Sequence, residues 1–309
     1  CVITDANNCV IIYSHEVTEP NILELTANPS NFNEFEISCN GENDAYIEID
    51  ISGGSGQGLY TFSWTLDGEF FSNEEDIYDL GPGIYDLGVI DANNCQTYYT
   101  HTVEEDTAVE VQLLDVSDFN GYGVPCSGFS SGMIVVSISG GSENYNYTWT
   151  ATDANGNSIN YDQSELFVEG DYYISNIPAA YYSLTVTDSN DCLANFEIDI
   201  DEPDTLELTD SVSNFNDFGI SCNGVNDGFI GLDVSGGVGS YTYAWTLDGD
   251  PFPAFVEFIN ELSPGLYQCV VTDANNCEII YSHEITEPNV LELTANPSNF
   301  NEFEISCNG

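Results

Sequence analysis

The 309 residues include no lysine and no arginine, against 53 aspartates and glutamates, for a formal net charge of −53. That absence removes whole classes of function. Nucleic acid is held by Lys and Arg that neutralise phosphates, so binding it is excluded. Attraction to an anionic membrane surface is excluded for the same reason. No lysine-derived isopeptide can brace a domain, and salt bridges drop out of the expected glue. Apolar burial, backbone ladders and either cystines or metal ions remain. Trypsin-type cleavage sites are absent too, which suits an exposed extracellular life. No run of eighteen apolar residues exists, so no segment is expected to insert into a membrane. No secretory leader is seen, as expected of a stretch from inside a longer protein. No Cys-x-x-Cys pair exists, which speaks against zinc. No helical period appears anywhere.

What is present is repetition. Residues 269–309 restate residues 1–41 at an offset of 268, differing only at Ile3/Val271, Val10/Glu278, Val17/Ile285 and Ile22/Val290. Shorter echoes lie between. Asp-Ala-Asn-Asn-Cys ends at Cys9, Cys95 and Cys277, with Asp188-Ser-Asn-Asp-Cys192 as a degenerate copy. Ser-Cys-Asn-Gly surrounds Cys39, Cys222 and Cys307, with Pro125-Cys126-Ser127-Gly128 as its variant. The first series steps by 86, 97 and 85 residues and the second by 87, 96 and 85. Two registers agree, so the chain is a tandem array. It divides into a fragment at 1–19, repeats at 20–105, 106–202 and 203–287, and a second fragment at 288–309. Apolar content of 42% and aromatic content of 13% suffice for packed cores, so the acidity does not signal disorder.

Within a repeat the pattern is β throughout. Ile47, Ile49 and Ile51 alternate with acidic residues, and Tyr60, Phe62 and Trp64 alternate on the next strand. Phe35–Ser38 reads as a continuation of the first strand. Some seven short strands with close turns predict an antiparallel, immunoglobulin-like β-sandwich, and head-to-tail sandwiches predict an extended rod. Trp64, Trp149 and Trp245 are the expected core tryptophans. Tyr85, Tyr182 and Tyr267 follow Pro/Gly or Pro/Ala corners, where a tyrosine corner sits. Cys1 and Cys269 read as small core hydrophobes. The second repeat carries an insertion between Trp149 and Tyr182, with an Asn155-Gly156 hairpin signal.

Eight cysteines, Cys9, Cys39, Cys95, Cys126, Cys192, Cys222, Cys277 and Cys307, recur at fixed positions and are disulfide candidates. In an immunoglobulin-like strand order the Cys39 and Cys95 turns lie at opposite ends of one sandwich. The Cys39 end then faces the Cys192 end of the following sandwich, which favours Cys39–Cys192 and Cys126–Cys277. Bonds within each repeat (Cys39–Cys95, Cys126–Cys192, Cys222–Cys277) and the reduced state stay open. Asp91, Asn93, Asp273 and Asn275 offer hard oxygen ligands beside the junctions, as does Asp153 in the inserted loop, where the spacing of Asp153, Asn155 and Asn157 suits calcium. Solvated Asx turns are the competing reading. No other cofactor is expected. His15, His101 and His283 share one repeat position with no nucleophile or base recurring beside them, so they read as surface or joint packing and no enzyme is expected.

Cys-Asn-Gly, Asn-Asp, an alternating strand, Ser-Gly-Gly and Tyr-x-Tyr-x-Trp together resemble the SprB repeat. The fit is best from Cys222-Asn-Gly-Val-Asn-Asp-Gly228 through Val234-Ser-Gly-Gly237 to Tyr241-Thr-Tyr-Ala-Trp245. In the second repeat Ser127 replaces the Asn and the Asn-Asp is lost. The resemblance implies a very large surface adhesin of gliding bacteria, exported by the type IX system and displayed on the outer face of the outer membrane. Its partners would then be the gliding motor, the secretion machinery and a substratum or polysaccharide. Repeats that themselves bind polysaccharide, or that mediate calcium-dependent cell–cell adhesion, are the alternatives.

Overall fold

The computed structural model describes residues 1–55, 59–142, 144–159, 166–168 and 171–295. Helix is absent from the described residues, and so is any helix long and apolar enough to cross a membrane.

The chain opens with a two-stranded ribbon, β1 (Val2–Thr4) and β2 (Val10–Ile12). Every residue of this ribbon is exposed, including Cys1, which corrects the expectation of a core cysteine there. Alternation alone cannot bury a side chain when no second sheet covers the ribbon.

Each full repeat has seven strands. The first has β3 (Glu24–Pro29), β4 (Ala45–Ser52), β5 (Thr61–Leu66), β6 (Glu69–Ser72), β7 (Ile77–Leu80), β8 (Gly83–Ile90) and β9 (Gln96–Val103). They form a three-stranded sheet ordered β3-β4-β7 and a four-stranded sheet ordered β6-β5-β8-β9, all antiparallel. This is the immunoglobulin-like arrangement. The second repeat has β10 (Glu110–Val116), β11 (Ser130–Ser139), β12 (Asn146–Thr152), β13 (Leu166–Val168), β14 (Asp171–Pro178), β15 (Ala180–Thr187) and β16 (Leu193–Ile200). Its sheets run β10-β11-β14-β13 and β12-β15-β16. The third repeat returns to the first pattern. Its strands β17 (Glu207–Val212), β18 (Gly228–Ser235) and β21 (Phe258–Leu262) form one sheet. β20 (Asp250–Phe252), β19 (Thr242–Leu247), β22 (Gly265–Thr272) and β23 (Glu278–Ile285) form the other.

The contacts divide the chain into two compact units. One is Cys1–Gln112 with Ser137–Trp149 and Ser183–Phe196; the other is Leu113–Val136 with Thr150–Tyr182 and Glu197–Gly309. In the first unit Ile47, Trp64, Tyr85, Leu87 and Val89 form a buried core, and in the second Ile230, Trp245, Tyr267, Cys269 and Val271 do the same. Trp149 and Tyr182 are also buried. Cys269 stands opposite Trp245 in the sheet register, and burial raises its thiol pKa to about 11.

The tyrosine corners are present. The hydroxyls of Tyr85, Tyr182 and Tyr267 donate to the carbonyls of Gly81, Pro178 and Ser263, at 3.1, 2.8 and 3.2 Å. The corner satisfies a buried hydroxyl and ties the loop before β8, β15 or β22 to the core.

Phe35–Ser38 is not strand. Phe32 and Phe35 close a tight turn whose central residues Asn33 and Glu34 have φ of 50° and 82°. The alternation misled because two left-handed residues reverse the chain, as in a type I′ hairpin turn. The same turn recurs at Phe119–Tyr122 and Phe215–Phe218.

The Ser-Gly-Gly step also has a backbone cause. A Cβ on Gly53 would lie 1.8 Å from the Ile22 carbonyl oxygen, and one on Gly140 would lie 2.0 Å from that of Ala108. The entering linker crosses there, and the second glycine of each pair donates its N–H to it: Gly54 to Asn21, Gly141 to Thr107 and Gly237 to Asp204, at 2.9, 2.8 and 2.8 Å.

Candidate functional site: the repeat junction

Each Asp-x-Asn-x-Cys turn is built by its aspartate. Oδ1 of Asp91 accepts the backbone N–H groups of Asn93 and Cys95, and Oδ2 accepts the N–H and hydroxyl of Ser55. Burial works to raise the Asp91 pKa, but this set of donors prevails and holds it below the ordinary carboxylate value. Asp188 and Asp273 make the corresponding bonds to Asn190, Cys192 and Ser142, and to Asn275, Cys277 and Val238. In the inserted loop Asp153 binds the N–H groups of Asn155 and Asn157 and the Asn157 amide, and these donors lower its pKa. The oxygens considered as calcium ligands in Asp91, Asp153 and Asp273 are thus engaged in holding their own turns.

The Cys-Asn-Gly turn grips the exit linker of its own repeat. Gly41 donates its N–H to Glu105 Oε2 at 2.6 Å, and the Asn40 amide donates to the Asp106 carbonyl at 2.9 Å. Gly128 holds Glu202 in the same way at 2.5 Å, and Gly224 holds Glu287 at 2.8 Å. Asp44 and Asp227 brace the turn from beneath, accepting the N–H and hydroxyl of Ser38 and Ser221. The first linker adds an ion pair that the lack of Lys and Arg had seemed to forbid: His101 Nε2 lies 3.0 Å from Glu36 Oε1, and Glu36 Oε2 accepts the Glu104 N–H. Histidine is the one cation source left in this composition.

Across the junction the two kinds of turn meet. Cys39 is bonded to Cys192 with Cα atoms 5.5 Å apart, and Cys126 to Cys277 at 5.8 Å. Of the pairings left open by the sequence, the structure has the ones that join a repeat to its successor. Beside each disulfide an asparagine spans the joint. The Asn190 amide donates to the carbonyls of Phe32 and Ser38 at 3.4 and 3.3 Å, and that of Asn275 donates to Phe119 and Pro125 at 3.0 Å each. The amides of Asn33 and Asn120, at the tips of the left-handed turns, return the contact to the Oδ1 atoms of Asn190 and Asn275. Cys9, Cys95 and Cys222 are exposed free thiols, and Cys307 lies outside the described residues.

Asn275 therefore acts in the joint as a hydrogen-bonding clasp. Asn190, Asn33 and Asn120 escaped the sequence reading. A signal existed: the middle Asn of Asp-x-Asn-x-Cys survives in the degenerate copy, and Phe-Asn-x-Phe/Tyr occurs once in each full repeat.

The family model of the SprB repeat matches residues 36–67, 124–154 and 220–249. The three stretches start just before the Cys turn and run beyond the tryptophan strand. Comparison with curated proteins gives no match. Among solved structures, three N-terminal domains of the bacteriophage RB49 highly immunogenic outer capsid protein are 15% identical with a TM-score of 0.36, over 87% of this chain and 99% of that one. A Ca2+-stabilized, ice-binding adhesin of an Antarctic bacterium is 14% identical with a TM-score of 0.40, over 93% and 80%. A 1.5-MDa bacterial ice-binding adhesin is 12% identical with a TM-score of 0.35, over 87% and 99%.

Proposed function

Because the chain carries the SprB repeat at three places, we propose that it is a load-bearing segment of a bacterial surface adhesin, built to transmit force rather than to perform chemistry. The observation that carries this reading is the pair of overlapping disulfide loops. Cys39–Cys192 closes a loop over 153 residues and Cys126–Cys277 one over 151, and the loops share residues 126–192. Any single backbone break between Cys39 and Cys277 then leaves the pieces covalently joined. A one-signed charge supports the same role, since it keeps neighbouring filaments apart within a screening length of about 8–10 Å.

The finer reading is that the array forms an extended filament on the outer face of the outer membrane, reached by type IX export and carried along the cell by the gliding motor. It rests on the repeat family. Fab fragments raised against residues 20–287 test it on living cells: surface label that travels along the cell is expected, and label that appears only after permeabilisation contradicts it.

A second reading, that the repeats bind polysaccharide, is favoured by one local feature. Tyr46 and Tyr78 pair on the outer face of the β3-β4-β7 sheet with centroids 6.1 Å apart, and the Tyr78 hydroxyl contacts Glu48. Aromatic faces beside a carboxylate suit sugar stacking. Glycan binding that Tyr78→Ala abolishes would favour this reading over a purely mechanical one.

A further inference from the structure

Both described junctions use one rule: the Cys-turn cysteine of a repeat bonds to the Asx-turn cysteine of its successor. One half of each kind is left over. Cys95 ends an Asx turn whose Asp91 bonds match those of Asp188 and Asp273 to within about 0.1 Å at the two turn N–H groups. Cys222 sits in a turn held by Asp227 and Glu287 in the manner of Cys39. Both halves are formed before they have a partner, and both thiols are exposed.

The surroundings repeat the pattern. The left-handed turn of the third repeat exposes Phe215 and Phe218 at 39% and 37%, whereas Phe32, Phe35 and Phe119 are half-buried in the joined repeats. Asn216 stands where Asn33 and Asn120 reach across, and Asn93 stands, exposed, where Asn190 and Asn275 clasp. The partner is written in the sequence. Residues 288–309, which follow the repeat of Cys222, restate residues 20–41, which open the repeat of Cys95, with Ile22/Val290 the one change.

We propose that Cys222 and Cys95 are the two halves of a third junction, closed between this 268-residue unit and a second copy of it in the same array, with Asn93 of that copy clasping the carbonyls of Phe215 and Ser221. The two thiols give up two protons and two electrons to a disulfide-bearing oxidant, which leaves as thiols, and the bond formed is Sγ–Sγ between Cys222 and Cys95. The chain of overlapping loops then continues without a gap from one unit to the next. This inference stands whether or not the array is adhesive.

The test extends the protein in its own frame, with residues 42–309 running on after Gly309. It is folded in a glutathione redox buffer, alkylated without reduction and mapped by peptides. In the 309-residue chain Cys95 and Cys222 are expected to alkylate fully. In the extended chain Cys222 of the first copy and Cys95 of the second should lose the label and appear as one linked peptide. Cys95→Ser in the second copy should restore the label at Cys222 and leave Cys39–Cys192 and Cys126–Cys277 closed in both copies. An alkylatable Cys222 while those bonds are closed, or Cys222 linked to any other cysteine, overturns the proposal.

Discussion

The amide nitrogen of Asn190 lies 3.3 Å from the carbonyl oxygen of Ser38, 152 residues earlier in the chain and in a different repeat. Ser38 precedes Cys39, and Asn190 precedes Cys192 by two, so one side chain and one disulfide clamp the same two loops. The clasp differs from the staple in kind, since it works without covalent chemistry and survives reduction. Removing the asparagine leaves half-buried carbonyls unsatisfied, at a cost of about 1–3 kcal/mol. Asn190→Ala and Asn275→Ala should each lower the thermal midpoint of the reduced protein. Asn93→Ala, at an exposed copy of the position, should stay within about 0.5 kcal/mol.

Overlapping loops predict an unusual response to proteolysis. Without Lys or Arg the accessible cuts are acidic, and a glutamate-specific protease supplies them. A single cut between Cys39 and Cys277 should leave the mass seen on a non-reducing gel unchanged and release fragments only after reduction. Fragments appearing without reductant would show that the loops are not closed.

Backbone strain gives a pair of opposite effects. Gly140→Ala drives a Cβ to 2.0 Å from the Ala108 carbonyl oxygen at a left-handed φ of 75°, and should destabilise the second repeat by at least about 2 kcal/mol. Glu34 holds φ of 82° with a side chain, where the second repeat has Gly121 at 92°. Glu34→Gly should raise stability by up to about 1 kcal/mol in denaturant titration.

The thiols should separate by pH. Burial keeps the Cys269 thiol neutral until pH approaches about 11. Its neutral form is the one the fold favours, so the stability it contributes is intact below pH 9 and is lost as pH rises from there through 11. The Asp91 carboxylate beside Cys95 raises that thiol too. In the native protein at pH 8, Cys222 should label with a disulfide reagent faster than Cys95, and Cys269 should not label until the protein unfolds. Asp91→Asn should speed Cys95.

The fold was readable because its signals are periodic. Ile47, Ile49 and Ile51 point one way, Trp64 sits on an aromatic alternation, and Tyr85 follows a Pro-Gly corner, each set by strand geometry two residues at a time. The direction of the disulfides followed once the turns of Cys39 and Cys95 were placed at opposite ends of a sandwich. The clasp was less readable, since an Asn in a turn looks the same whether its amide meets water or a neighbouring carbonyl. Phe35–Ser38 misled because alternation cannot register two left-handed residues between matching aromatics. Asp91 had two readings as ligand or turn former, and only coordinates show that backbone and Ser55 donors occupy both of its oxygens.

Pulling one chain from its ends, with and without reductant, tests the mechanical account most directly. With both disulfides closed, the shortest covalent path from Cys39 to Cys277 crosses one bond and the 85 residues after Cys192. Reduction frees the remaining residues, each adding about 3.3–3.6 Å of contour when extended. The account predicts that full unfolding extends the oxidised chain by far less than the reduced chain, the difference corresponding to the 153 residues from Cys39 to Cys192. Equal contour gains in the two states would contradict it.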